Sequence, residues 1–175
     1  MRLLKVQTPA IRRRRARGGT ERRFGAHTFI AIADAEGAVI GELHGIARGP
    51  NGAQLKIYGG VLPFRREFIW GERFNHRTGF YDESFPQGVL IEGDAAVAAC
   101  LQREERVRAA VNARQIPYPW PALFGANSNA YYATLIAGMG LEDMPLDGEL
   151  WAPSVKRLLL DVPTLRSFAA ESVMT

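Results

Sequence analysis

Residues 24–45, FGAHTFIAIADAEGAVIGELHG, decide the fold. Two β-rich runs flank the tetrapeptide Asp34-Ala35-Glu36-Gly37, whose first and last residues suit a type I turn closed by a left-handed glycine. The stretch therefore predicts a β-hairpin, and with it an antiparallel sheet. It also carries chemistry at both ends, because His27 starts the first strand while Glu42 and His44 end the second. A three-residue loop sets His27 opposite Gly45 and Thr28 opposite His44; a two-residue loop sets the two histidines opposite each other. In the first register Glu42 and His44 share the face of Ile30 and Ile32, and in the second they share the face of His27. Both registers fit the sequence.

Beyond the hairpin, RGPNG at 48–52 is a turn and GAQLKIYGGVL at 52–62 predicts further strand. Residues 63–88, PFRREFIWGERFNHRTGFYDESFPQG, show no clean period and predict loops and short elements. Their rings (Phe64, Phe68, Trp70, Phe74, Phe80 and Tyr81) suit a core, or alternatively a groove for an acyl chain or peptide. FNHRTG is a turn, which makes His76 a surface histidine first and a reserve base second.

From 94 to 114 the period becomes helical, with Val97, Cys100, Leu101, Glu104, Val107 and Val111 on one face and Asp94 as cap. Cys100 on that apolar stripe is a core residue rather than a nucleophile. IPYPWPALFG at 116–125 cannot be helical, since Pro117, Pro119 and Pro121 alternate. A second helix follows, opened by Asn127 or Ser128 and stopped at Gly138 and Gly140. The tail holds apolar pieces of no decided type.

The expected class is α+β, an antiparallel sheet packed on two or more helices. A chain of 175 residues, 47% apolar and 23% charged, suits one folded domain. Residues 1–23 carry nine cationic side chains against Glu21 alone, leaving the remainder net negative. They form an expected basic, mobile arm before a single domain at 24–175. Its Arg12, Arg13, Arg14 and Arg15 offer weak contact to nucleic acid or an acidic surface. No apolar run approaches the roughly 20 residues of a transmembrane helix, and the N-terminus lacks a signal-peptide core. The expected location is cytoplasmic, or reached by a route other than Sec. One cysteine permits no intramolecular disulfide or thiolate cluster, and the three histidines lack metal-ligand spacing. With neither a phosphate loop nor a dinucleotide fingerprint, no cofactor or metal is expected.

Ser128, in FGANSNAYYATLIAGMG at 124–140, has two readings. A polar residue there caps a helix by default. The same place suits a nucleophile, because the helix dipole and free amides stabilise a developing oxyanion. A histidine on a strand, a polar residue on the next strand and a nucleophile opening a later helix resemble the circularly permuted papain-fold hydrolases: the lecithin:retinol acyltransferase-like proteins, the permuted NlpC-type amidases and the PPPDE peptidases. The matching residues are His27 and the motif Asn127, Ser128, Asn129, Tyr132, about 35 residues in two segments. GELHG together with NSN resembles bacterial effector or toxin-type domains. The resemblance implies that Ser128 attacks an acyl carbonyl of a peptide, amide, thioester or ester, that His27 takes its proton, and that Glu42 or His44 orients the imidazole. Asn127 and Asn129 would position the substrate. Serine stands where the family has cysteine, which favours as alternative a noncatalytic binding module on the same fold.

Overall fold

The structure, a computed structural model, describes residues 1–13, 22–54, 67–118 and 125–170. Within them the chain is α+β. Strands β1 (Arg2–Arg13), β2 (Arg22–Ala33), β3 (Val39–Arg48), β4 (Phe68–Phe74) and β5 (Gln87–Glu92) precede helices α1 (Asp94–Ala113), α2 (Ser128–Met139) and α3 (Val162–Ala170). The strands form one antiparallel sheet in the order β4-β3-β2-β1-β5.

Residues 2–13, expected to belong to a mobile arm, form β1 between β2 and β5. The arm reading weighed the arginines and missed that LLKVQT is buried on both sides. Leu3, Lys5 and Gln7 face the helices, and Val6 and Thr8 face away; all five are buried. Lys5 is internal because Asp143 and Glu149 each place a carboxylate oxygen 3.0 Å from its Nζ. Pro9 is tolerated because β5 pairs only as far as Val6, so the missing N–H lies past the end of that neighbour. Arg12 and Arg13 end β1 opposite Arg23 and Arg22, whereas Arg14 and Arg15 lie outside the described residues.

The 34–37 turn forms as its sequence predicts, with Gly37 at φ 90° and the Ala38 amide held by the Asp34 carboxylate at 2.8 Å. The register matches neither simple alternative. Ile30 pairs with Leu43 and Ala31 with Glu42, but a bulge between Ile32 and Ala33 shifts the pairing. Glu42 and His44 therefore share the face of His27 and Phe29, the outcome expected of the two-residue loop. Expected strand at 52–62 lies mostly outside the described residues. The segment expected to hold loops and short elements contains the short strand β4 and the start of β5.

One sheet face packs on the helices. Leu3, Ile30, Ile32, Leu43 and Ile69 meet Val97, Val107 and Val111 of α1, Tyr131, Leu135 and Met139 of α2, and Leu165 of α3. Cys100 is buried in this core. Tyr131 lies against Gly45 and Gly71, paired glycines of β3 and β4; a β-carbon on Gly71 would stand 2.2 Å from its hydroxyl. The other face is covered by residues 75–86, which run from edge strand β4 to edge strand β5. Tyr81 and Phe85 of this strap close over Val6, Phe29 and Ala31.

Candidate functional site

The site lies where the sheet forks. The β2–β3 ladder ends at Ile30 and Leu43; beyond it β2 stays with β1 and β3 stays with β4. Splitting a sheet strands backbone donors and acceptors, which need new partners when buried. Asn129 of α2 supplies them from the helix side. Its Oδ1 accepts from the Thr28 amide at 2.8 Å, and its Nδ2 donates to the carbonyls of Ala26 at 2.9 Å and Pro153 at 3.0 Å. The Ala26 amide donates to the Trp151 carbonyl at 2.9 Å.

Across the strap-side mouth of the fork, the two histidines join. His27 Nε2 lies 2.9 Å from His44 Nδ1, and His44 Nε2 lies 2.6 Å from Glu42 Oε2. Glu42 is completed by the strap, since the Thr78 amide and hydroxyl each donate to it at 2.6 Å. Phe29 stacks on His44 at 4.4 Å between ring centroids, Phe74 meets it edge-on, and Phe80 lies over both imidazoles. Glu42 and His44 are fully buried, while His27 is partly exposed.

The electrostatics follow from this packing. Burial pushes the Glu42 carboxyl upward, but the hydrogen bonds from His44 and from both Thr78 donors outweigh it and hold the group below its ordinary value. Burial, reinforced by the charge of His44, lowers His27 to about 3, so its imidazole is neutral near pH 7. A carboxylate only accepts, so His44 donates a hydrogen bond from Nε2–H to Glu42. When His44 is neutral, its Nδ1 accepts from His27 Nε2–H, and the lone pair of the chain comes to rest on His27 Nδ1.

The structure thus brings His27, His44 and Glu42 into one row and does not bring Ser128 to it. Ser128 hydrogen-bonds to the Tyr118 hydroxyl. Helix α2 packs on the opposite sheet face from the imidazoles, as the contact of Tyr131 with Gly45 and Gly71 requires. No hydrogen bond among the described residues joins Ser128 to His27 or His44; His27 Nε2 and both ring nitrogens of His44 are engaged with each other and with Glu42. Asn127 is the N-cap of α2, its Oδ1 accepting from the amides of Asn129 and Ala130, and its Nδ2 donates to Pro153. Asn127 and Asn129 are both buried. Their amide groups hold the fold together instead of presenting themselves to a substrate. His76 is exposed and meets only Phe74 edge-on among the described rings, so it stands apart from the row.

Thr78 escaped the sequence reading, and Phe80 entered it only as one of the rings suited to a core or a groove. FNHRTG was legible as a turn, but nothing in it says that the turn lies over β3. Among the described residues no helix is long and apolar enough to cross a membrane. Comparison with known protein families, curated proteins and solved structures finds no match for this chain. The chemistry of the site is accordingly drawn from its own geometry.

Proposed function

We propose that the chain is a hydrolase or acyltransferase acting on an amide, thioester or ester, with His27 as general base and His44 and Glu42 as the path that carries the resulting charge inward. The observation supporting it is the unbroken row from the Glu42 carboxylate through both nitrogens of His44 to Nε2 of partly exposed His27. A nucleophilic water or acceptor hydroxyl gives its proton to His27 Nδ1 as its oxygen attacks the carbonyl carbon. The Nε2 proton of His27 passes to His44 Nδ1, so the positive charge rests on His44 beside the Glu42 carboxylate. Collapse of the tetrahedral intermediate breaks the bond to the leaving group, which takes the Nδ1 proton from His27 while the His44 proton returns. With its proton affinity lowered to about 3, His27 is a weak base by itself near pH 7, and the onward transfer to His44 beside the Glu42 carboxylate is what the proton uptake depends on. Ser128 takes no part.

A noncatalytic binding module is the second reading, favoured because the imidazole pair also clasps the fork where the backbone ladder has ended. Turnover of an aryl ester, an acyl thioester and a peptide amide separates the two. The hydrolase reading expects turnover of at least one, a loss in kcat of about 10²–10⁴-fold in His27→Ala and Glu42→Gln, full activity in Ser128→Ala, and no fluorophosphonate adduct on Ser128 of the wild type. No turnover by the folded wild type, or full activity in His27→Ala, would leave the binding reading.

A further inference from the structure

The strap that latches onto Glu42 also walls a cleft of about 800 Å³ that the row of acid and imidazoles does not use. Its apolar lining is Ile46, Phe74 and Phe80; its cationic and polar lining includes Arg48, His76 and Arg77, and no Asp or Glu lines it among the described residues. The two arginines differ in what they have left to offer. Arg48 is committed to Glu72, with Nε 3.0 Å from Oε2 and a second nitrogen on the same oxygen. Arg77 is half exposed, its guanidinium lies over the Tyr81 ring at 5.0 Å, and its nearest acid is Glu83 at 3.7 Å, itself largely in solvent. So long and exposed a pair yields readily to a better-placed anion. Phe80 is 45% exposed, so its ring is open to a ligand, and it lies over both imidazoles.

We infer that this cleft binds an amphipathic anion: an apolar body laid on Phe80, Phe74 and Ile46, with a carboxylate, sulfonate or phosphate at Arg77 beside His76. The ring stack pre-sets the guanidinium, which forks naturally onto such headgroups. Because Arg77, Thr78 and Phe80 are consecutive or nearly so, a ligand held there lies next to the segment that completes Glu42 and covers His27. The inference names the substrate class of the reaction proposed above and rests on that reading for the role of substrate; the binding itself requires no turnover.

The test uses the full chain with 8-anilinonaphthalene-1-sulfonate as fluorescent probe, and decanoate and decanol as competitors. Expected are saturable binding at one site per chain and displacement by decanoate at least about tenfold better than by decanol. Arg77→Gln should weaken probe and decanoate about tenfold or more with unchanged circular dichroism and urea midpoint. His27→Gln should bind both as wild type does. Equal affinity in Arg77→Gln, or equal competition by decanol, would overturn the inference. Binding as described without any turnover would sink the catalytic reading and leave the ligand class standing; turnover without such binding would do the reverse.

Discussion

Asn129→Ala is the perturbation whose effect is best defined. The side chain makes three hydrogen bonds, to the Thr28 amide, the Ala26 carbonyl and the Pro153 carbonyl. Pro153 keeps its bond from Asn127 at 3.1 Å, so truncation orphans two groups of β2. Both belong to buried residues, Thr28 and Ala26. A buried backbone group left unpaired costs about 1–3 kcal/mol, so the loss should be about 2–6 kcal/mol out of a total stability on the order of 5–15 kcal/mol. Ser128→Ala, one residue earlier, gives up a hydroxyl bond to Tyr118 and should cost about 1 kcal/mol or less. Equilibrium urea unfolding followed by far-ultraviolet circular dichroism measures both, with the midpoint moving and the m-value constant. An Asn129→Ala variant within about 0.5 kcal/mol of wild type would refute the reasoning, because that is the range of an unengaged surface substitution. A cost in Ser128→Ala equal to that of Asn129→Ala would refute it as well.

Acid should destabilise the chain through His27. Its proton affinity falls on folding from 6.5 to about 3, so the unfolded state binds the proton first as pH drops. Stability is then lost from about pH 6.5 downward, at up to about 1.4 kcal/mol per pH unit. Glu42, also held below its ordinary 4.5, adds to the loss at still lower pH. His27→Gln should flatten the upper part of a stability profile measured by urea midpoint, and an unchanged slope would contradict this. Gly71→Ala should cost at least about 2 kcal/mol by driving a methyl into Tyr131, whereas Gly79→Ala, with nothing within 4 Å of its new methyl, should cost well under 1 kcal/mol; thermal melts with equal losses would contradict the packing. Cys100 should resist a thiol reagent in the native state and react on unfolding, since it is buried and burial raises its thiol above the ordinary value; rapid native labelling would place it wrongly.

What the sequence revealed of the site followed from chemistry that is local. The turn at 34–37 and the helix from 94 depend on neighbours a few residues away and were legible; the opening of α2 was narrowed to Asn127 or Ser128, and Asn127 is the cap. The face shared by His27, His44 and Glu42 was left open because it turns on one bulged residue between Ile32 and Ala33. β1 was hidden because its buried residues mix Lys5 and Gln7 with Leu3 and Val6, and their partners, Asp143, Glu149 and Thr28, are distant in the chain. The separation of Ser128 from the imidazoles was equally illegible. Chain order places a helix after a strand without saying which side of the sheet it covers, and only the small residues Gly45 and Gly71 hint at where Tyr131 lies.

The proton path is tested most directly by ¹⁵N NMR of the His27 and His44 ring nitrogens, followed from above neutral pH into acid. In the neutral pair, His44 Nε2 and His27 Nε2 should carry protons while His27 Nδ1 is bare. The first proton added should appear on His27 Nδ1 as the Nε2 proton of His27 moves to His44 Nδ1, leaving the charge on His44 beside Glu42. A proton on His27 Nδ1 in the neutral pair, or a doubly protonated His27 formed ahead of a charged His44, would contradict the relay and remove the base from the proposed reaction.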